Sequence, residues 1–246
     1  MKITSDTIDP TLAVHGFFGR KYGKSSGAYA SLNCSKFVGD NPAAVLRNLE
    51  IVRRDLGAKK LITLKQVHGN VCIVADDETE SDVEADAVVT RIPGIGIGVL
   101  TADCAPVLLA DKKTGTVGAA HAGWRGAVAG VLESAIRKMR ELGSDPRDIV
   151  AVIGPCISPD SCETDEEFAK NFKRNEVCLF VANSKLHFDL PRYCLKRLTE
   201  AGVPENGTDF VDVDTFASPE DYFSYRFANR NSKGICGRQI SAICPR

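Results

Sequence analysis

Two histidines and a cysteine of this chain occupy positions where their side chains could do chemistry. His68 follows a strand-like segment and precedes a glycine turn, and His121 stands between an apolar segment and a predicted helix. Cys104 lies in a short polar segment between two apolar segments. Two imidazoles and a thiolate suit Zn²⁺, with the fourth coordination position open for water or substrate. The residue types therefore predict a zinc site at His68, Cys104 and His121, although their spacing leaves open whether the three side chains meet.

The same residues allow a second chemistry that needs no metal. Cys104 could be a nucleophile activated by His121, as in a Cys–His hydrolase or deamidase, so these two residues are the catalytic candidates in either case. His68 separates the two hypotheses because a dyad does not require it. Asp103 is a candidate general acid/base, but neighbouring strand residues point to opposite faces, so it could point away from Cys104. Isolated polar residues at the ends of apolar strands favour an enzyme over a binding module.

Four arginines stand beside glycines or aromatic residues, close to the same kind of position. A guanidinium group binds two oxygens of a phosphate or carboxylate at once, and flanking glycines allow such an anion to approach closely. We therefore take these four arginines as the candidate substrate-binding residues, with a solvated surface role as the alternative for each: Arg20, Arg125, Arg226 and Arg238.

Three helices and seven strands are predicted to position these residues. The apolar spacing and the flanking Pro and Gly residues predict helices over 42–56, 127–142 and 191–201. Strand-like segments lie at 71–75, 87–90, 95–100, 107–110, 116–121, 149–153 and 240–244. Several of them are apolar at consecutive positions, which indicates strands covered on both faces. The order of these elements favours a layered α+β, mixed-sheet α/β fold, and the absence of a linker or repeat predicts a single domain over 1–246.

The composition excludes several classes of protein. The chain has 246 residues, and 31 basic residues against 32 acidic ones give a net charge of -1, which argues against nucleic acid as the main partner. No segment is long and apolar enough to span a membrane, and the opening residues do not have the pattern of a signal peptide. The nine cysteines show no Cys-x2-Cys pair. We therefore expect a cytoplasmic protein with reduced thiols and no membrane partner; the sequence does not give the oligomeric state.

Six short motifs, at 65–70, 85–90, 101–106, 121–126, 153–155 and 223–226, occur in the order found in a known family. In these motifs the chain resembles the laccase-domain, polyphenol-oxidase-like (YfiH-type) family, described as purine nucleoside phosphorylases with adenosine deaminase and methylthioadenosine phosphorylase activities. The resemblance covers nearly the whole chain. It implies purine nucleosides and inorganic phosphate as small-molecule substrates.

The resemblance also implies a fold and a ligand set. The family looks like a single-domain, four-layer α/β/β/α sandwich, and its metal, usually zinc, is held by residues that map onto His68, Cys104 and His121. Asn33 and Glu163 fall at further family-like positions, as do Arg20 and the segment 224–226. The chain departs from the family pattern in the sequences Ser161-Cys162-Glu163, Asp214-Thr215 and Cys236-Gly237-Arg238. These departures concern substrate preference and leave the metal ligands unchanged.

The family's older name suggests a copper-dependent polyphenol oxidase, an oxidoreductase, as the alternative function. A blue-copper site with a separate trinuclear cluster needs many histidines and usually an axial methionine. The chain has only four histidines and two methionines, which excludes a multicopper oxidase. A single Cu²⁺ in the same three-residue site stays an alternative, because divalent copper binds most nitrogen and sulfur sites more tightly than zinc does. The main prediction is a zinc-dependent purine nucleoside phosphorylase with adenosine deaminase activity.

Overall fold

The computed structural model describes residues 2–172 and 178–246, and within these ranges it contains fifteen strands and six α-helices. The strands are β1 (Lys2–Ile3), β2 (Ala13–Phe18), β3 (Lys60–Lys65), β4 (Cys72–Val74), β5 (Val83–Glu84), β6 (Ala87–Thr90), β7 (Ile95–Thr101), β8 (Ala105–Asp111), β9 (Val117–Ala122), β10 (Ile149–Ile153), β11 (Glu163–Thr164), β12 (Leu179–Ala182), β13 (Lys185–Phe188), β14 (Thr208–Phe210) and β15 (Gln239–Pro245). The helices are α1 (Pro42–Asp55), α2 (Trp124–Ala129), α3 (Val131–Glu141), α4 (Glu166–Ala169), α5 (Leu190–Glu200) and α6 (Tyr225–Asn231).

Two six-stranded mixed sheets form the centre of the fold. The first has the strand order β1-β2-β15-β7-β3-β5, and the second has the order β14-β10-β8-β9-β6-β4. Within the first sheet β3 runs parallel to β7, whereas β15 is antiparallel to both of its neighbours. The small third sheet, β11-β13-β12, is antiparallel. The prediction of mixed sheets is therefore confirmed.

Three apolar layers show how the sheets and helices stack. Apolar side chains of both large sheets, such as Ile97 and Leu108, fill the space between the sheets. Residues of α3 and α5 pack on the outer face of the second sheet. Residues of α1, among them Val52, pack on the outer face of the first sheet. This arrangement is the predicted four-layer α/β/β/α sandwich, and it explains why several strands are apolar at consecutive residues.

Local signals account for the start of α1 but not for the break between α2 and α3, and the short helices α4 and α6 were not predicted. At the start of α1, the Asn41 side chain accepts hydrogen bonds from the amides of Ala43 and Ala44, with Pro42 at the first helical position. The helix predicted over 127–142 is instead two helices, α2 and α3, and the first of them begins at Trp124. Gly130 separates them in a left-handed conformation with φ of 94°, which a glycine adopts without steric cost. The apolar periodicity continues across this break and so conceals it.

All seven predicted strands are present, but sequence reasoning missed others. β2 contains a histidine and a glycine, and β3 begins and ends with lysine, so neither shows a strong strand pattern. Each is nevertheless fixed by pairing with a neighbour in the first sheet, β2 with β15 and β3 with β7. None of the helices in the described ranges has the length and apolarity that a membrane crossing requires.

Candidate metal centre and its two cavities

The hairpin formed by β8 and β9 brings Cys104 and His121 together. Pro106 of β8 pairs with His121 near the end of β9, and Cys104 comes directly before β8. The imidazole of His121 is buried and the Cys104 thiol is half-buried. These two residues therefore share one end of the second sheet.

His68 reaches the same place from the first sheet, in the loop after β3. Its backbone has φ of 59°, in the left-handed region. The His68 Nε2 atom lies 3.8 Å from Cys104 Sγ, and the rings of His68 and His121 meet edge to face with centroids 4.8 Å apart. The candidate ligand atoms of the three residues all lie within 4.8 Å of one another. The structure thus brings together the three side chains whose meeting the sequence left open.

Asp86, which sequence reasoning did not select, holds this arrangement in place. Its buried carboxylate lies 2.8 Å from His121 Nδ1, and it accepts hydrogen bonds from the backbone amides of Val67, His68 and Gly69. The Nδ1–H of His121 therefore donates to a carboxylate, which leaves Nε2 directed to the cluster, as in the carboxylate–histidine pairs of metal sites. The signal in the sequence was a lone aspartate at the start of an apolar strand segment.

The site carries strongly interacting charges. Burial raises the pKa of the Cys104 thiol, but attraction and hydrogen bonds to His121 and His68 outweigh this effect, and the pKa falls below its ordinary value. Burial lowers the pKa of His121, whereas Cys104 and Asp86 raise it by a larger amount. Burial likewise raises the pKa of Asp86, and its hydrogen bonds from His121 and the loop amides bring it below the ordinary value. The cluster therefore favours a thiolate, the form of cysteine that binds metals.

Two glycines of the motif at 121–126 allow the turn to approach the cluster closely. A Cβ atom at Gly123 would lie 2.9 Å from a ring carbon of His68 and 3.0 Å from Cys104 Sγ. A Cβ atom at Gly126 would lie 2.8 Å from the carbonyl oxygen of Gly69. Any side chain at these positions would press against the candidate ligands or their loop.

The donor set fits a tetrahedral Zn²⁺ ion. Bonds of about 2.0–2.3 Å at tetrahedral angles place ligand atoms about 3.3–3.8 Å apart. The 3.8 Å between His68 Nε2 and Cys104 Sγ agrees with this spacing, and the bound of 4.8 Å on all three pairs is about 1 Å wider than it. Two nitrogens and a sulfur leave one tetrahedral position for water or substrate, and the same donors also accept copper.

Two cavities meet at Cys104. The metal-side cavity has a volume of about 490 Å³ and is lined by His68, Cys104 and His121 together with Arg125, Tyr225 and Arg238, among others. The aromatic cavity has a volume of about 480 Å³, and its wall includes Trp124, Phe168 and Phe188. Ala102, Cys104 and Tyr225 line both cavities. Both volumes are in the range of small-molecule sites.

The four candidate arginines are distributed between different environments. Arg125 and Arg238 line the metal-side cavity with the cluster, and Arg125 packs over the Trp124 ring at 4.3 Å. Arg226 lines the aromatic cavity, but its guanidinium donates to the carbonyl oxygens of Ser161 and Glu163. The structure therefore brings two of the four arginines next to the cluster.

The fourth arginine, Arg20, lies in a separate cavity. Its guanidinium donates to the carbonyl oxygens of Ala30 and Pro219, and it stacks over the ring of Phe223 at 4.5 Å. Its hydrogen bonds join loops of the chain to one another.

The remaining candidates mostly fix the backbone around the site. Asp103 has φ of 89°, and its carboxylate accepts from the Thr215 hydroxyl and from the Arg226 amide. It lines the aromatic cavity, whereas the two histidines line the other one. The buried Asn33 side chain accepts from the Arg238 amide, and Glu163 forms ion pairs with Lys185 and Arg230.

Comparison with known proteins identifies the family. The family model described as multi-copper polyphenol oxidoreductase laccase matches residues 14–246. The chain belongs to this family. The resemblance seen in the sequence motifs is therefore confirmed, and the members of this metal-binding family are enzymes.

Curated relatives carry nucleoside-related names. A purine nucleoside phosphorylase of Streptomyces coelicolor is 45% identical over 227 residues, which covers 90% of this chain and 92% of the relative. A purine nucleoside phosphorylase of Bacteroides thetaiotaomicron is 32% identical over 242 residues, with 91% and 88% covered. An adenosine deaminase from an unknown prokaryotic organism is 35% identical over 194 residues, with 72% and 74% covered.

Solved structures share the fold. The crystal structure of a Neisseria meningitidis protein has a TM-score of 0.88 and 32% identity, and the match covers 100% of this chain and 98% of that one. The crystal structure of the Bacillus licheniformis protein YfiH also has a TM-score of 0.88, with 25% identity and 95% and 93% covered. The four-layer arrangement is therefore the fold of the YfiH family.

Proposed function

We propose that the protein is a zinc-dependent purine nucleoside phosphorylase that acts on adenosine, inosine and methylthioadenosine with inorganic phosphate. The observation that carries this proposal is the cluster of His68, Cys104 and His121 opening into the same cavity as Arg125 and Arg238. The names of the Streptomyces and Bacteroides relatives support the nucleoside and the phosphorolytic reaction.

The phosphate group is held by the arginines in this scheme. Among the described residues, neither Arg125 nor Arg238 forms an ion pair with a carboxylate; the Arg238 guanidinium donates only to groups of Cys236 and Gly237. Both guanidiniums thus keep donors for the oxygens of a phosphate. A Zn²⁺ ion bound at the cluster would supply a Lewis acid that polarises a phosphate or substrate oxygen or activates water. Asp86 keeps the proton on His121 Nδ1, so that Nε2 is available as a ligand.

Phosphorolysis is a single displacement at C1′ of the ribose. An oxygen of inorganic phosphate forms a bond to C1′ while the bond between C1′ and N9 of the purine breaks. The electron pair of that bond passes to the base, which takes up a proton from solvent. The products are ribose 1-phosphate and the free purine. Arg125 and Arg238 contribute by holding the nucleophile in place and neutralising the charge on its oxygens.

Adenosine deamination is a second candidate reaction, because one relative is named an adenosine deaminase. In this reaction water adds at C6 of the purine and ammonia leaves, so that adenosine becomes inosine. The open coordination position would serve this reaction only with C6 of the base placed at the metal, since zinc deaminases activate water at such a site. The two reactions are distinguished by their requirement for phosphate.

Metal analysis and product assays test the proposal together. Protein purified without added copper is analysed for zinc and copper, and adenosine, inosine and methylthioadenosine are each assayed with and without phosphate. We expect bound zinc and phosphate-dependent release of the free base. Bound copper together with oxidation of phenols would instead support the polyphenol oxidase alternative.

His68→Ala separates the zinc enzyme from the metal-free Cys104–His121 dyad. In the zinc enzyme this change removes one of three protein ligands, so metal content and turnover should fall together, turnover by orders of magnitude. Chelation should abolish wild-type activity, and added zinc should restore it. His187→Gln is the matched control, because His187 bonds the Pro159 carbonyl outside both cavities. Full activity in stably metal-free protein would establish the dyad instead.

A further inference from the structure

The aromatic cavity adjoins the metal-side cavity, which Arg125 and Arg238 line, and it has a different chemical character. Trp124 and Phe168 meet edge to face on its wall with centroids 4.9 Å apart, and Phe168 packs in turn on Phe188 at 5.3 Å. Ile157 and Leu190 complete the apolar surface. The proposed function assigns no ligand to this cavity.

The two arginines that line this cavity already form hydrogen bonds or ion pairs within the protein. Arg226 donates to the carbonyl oxygens of Ser161 and Glu163. Arg230 pairs with the Glu163 carboxylate and packs over the ring of Phe216 at 4.9 Å. An anion such as phosphate therefore finds available guanidinium donors on the metal side of Cys104, whereas a flat, weakly polar group finds aromatic and aliphatic contacts in the aromatic cavity.

Displacement at C1′ places the nucleophile and the leaving group on opposite faces of that carbon. A site for this reaction therefore needs two compartments that meet where the ribose lies. Two cavities that share Ala102, Cys104 and Tyr225 satisfy this requirement. Because Arg125 and Arg238 would bind the phosphate in the metal-side cavity, the purine would lie in the aromatic cavity.

We propose that the aromatic cavity is the binding site for the purine base, with Trp124 and Phe168 as the surface on which the base packs. This inference rests on the proposed function for the position of phosphate, and it adds the position and the specificity residues of the base. Asn229 of α6 and Thr164 of β11 supply polar groups on the same wall that can pair with ring nitrogens. The ribose then crosses the boundary at Cys104 and Tyr225.

Tryptophan fluorescence provides a direct test, because Trp124 is the only tryptophan of the chain. Adenine and hypoxanthine are titrated into the zinc-loaded enzyme without phosphate, so that no turnover occurs. We expect a saturable change in Trp124 emission. Phe168→Leu should weaken the affinity for the base about tenfold or more, since stacking of a base on an aromatic side chain contributes about 1–3 kcal/mol.

Two further variants make the assignment of the cavity specific. Asn229→Leu places a bulkier apolar side chain at an exposed position on the wall of the aromatic cavity, and it should also weaken base binding about tenfold. Phe37→Leu changes an aromatic residue on the wall of the metal-side cavity and should change base affinity less than about twofold. Thermal unfolding checks that each variant is folded.

The outcomes separate this inference from the proposed function. If Phe37→Leu weakens base binding and the other two variants do not, or if no base changes Trp124 emission, the base does not bind in the aromatic cavity and the inference is overturned. Base binding with the expected pattern supports it whether or not turnover occurs. Absence of phosphate-dependent turnover in that same wild-type protein would overturn the proposed function alone.

Discussion

At the scale of single residues, one carboxylate joins the segments that carry the two histidines. Asp86 bonds His121 through a ring nitrogen and holds the loop of His68 through three backbone amides. The loop holds His68 in the left-handed conformation, and the three hydrogen bonds to Asp86 tie its backbone to the segment before β6. Asp86 therefore orients both ligands without lying in either cavity.

Asp86→Asn should weaken zinc binding about 10–100-fold, as changes to the partner of a metal-bound histidine typically do. The asparagine amide presents donors where the imidazole and the loop amides also donate, so some of these hydrogen bonds are lost. Competition with a zinc indicator measures the affinity. Asp111→Asn is the control, because Asp111 is a buried turn carboxylate at the opposite end of β8 that bonds Lys113 and Thr114. Equal zinc affinity in both variants would contradict the role given to Asp86.

Arg125→Lys should raise the KM for phosphate about tenfold or more while leaving the zinc content unchanged. Lysine keeps the positive charge but loses the planar fork, and hydrogen bonds to charged groups contribute about 1.5–3 kcal/mol. Initial rates at varied phosphate concentration measure the effect. Arg137→Lys on α3, whose guanidinium bonds Ser134 away from both cavities, is the control. Unchanged phosphate dependence in Arg125→Lys would transfer the role to Arg238.

At the scale of elements, the corner between β9 and α2 determines how closely the chain approaches the cluster. The strand ends at Ala122 and the helix begins at Trp124, so Gly123 alone makes the connection. Its φ of -69° is accessible to any residue. The requirement for glycine at this position therefore comes from the neighbouring ligands and not from the backbone conformation.

Gly123→Ala should yield a folded protein that has lost most of its affinity for zinc. The added methyl group would lie within 3.0 Å of His68 and Cys104 and would force these ligands apart. Metal analysis after dialysis and thermal unfolding measure the two effects separately. Gly143→Ala is the matched control: Gly143 has φ of 98° with open space around it, so we expect a loss of about 1 kcal/mol in stability and normal zinc content. Full zinc occupancy in Gly123→Ala would show that the turn can move.

At the scale of the whole molecule, the contact between the two large sheets imposes a dependence of stability on pH. His15 of β2 is buried on the strand face that carries Ala13 and Phe17, both part of the layer between the sheets. Its Nε2 accepts a hydrogen bond from the Ser5 amide. Burial, with a smaller effect of Lys2, lowers the pKa of His15 to about 4.

The protein should lose about 2 kcal/mol of stability through His15 between pH 7 and pH 5. The unfolded chain takes up a proton near pH 6.5, while folded His15 stays neutral until about pH 4, so protonation favours unfolding across this window. Above pH 7 the effect is absent. Urea unfolding of wild type and His15→Gln measures it, since glutamine can accept the Ser5 hydrogen bond without titrating. Identical pH profiles for the two proteins would show that His15 does not contribute.

Much of the fold and of the candidate site could be predicted from the sequence, because apolar spacing, capping residues and residue types are local features that the sequence shows directly. Apolar runs marked the seven predicted strands, capping residues marked the start of α1, and the residue types of His68, Cys104 and His121 pointed to a metal. Local sequence patterns did not predict the break in the second helix or the strands β2 and β3. Gly130 interrupts a helix whose apolar spacing continues, and β2 and β3 are fixed by their partners in the first sheet.

Only the tertiary structure decided which polar side chains share a site. His68 comes from the first sheet and Cys104 and His121 from the second, so their meeting depends on how the two sheets stack. Asp86 acquires its role because burial obliges its carboxylate to find donors, and these come from a loop distant in sequence. Arg20 and Arg226 have the same chemistry as the arginines of the metal-side cavity, but their guanidiniums donate hydrogen bonds to backbone carbonyl oxygens instead. The sequence determines which chemical groups are available, and long-range packing determines which of them face one another, because side chains far apart in the chain meet only when separate layers pack together.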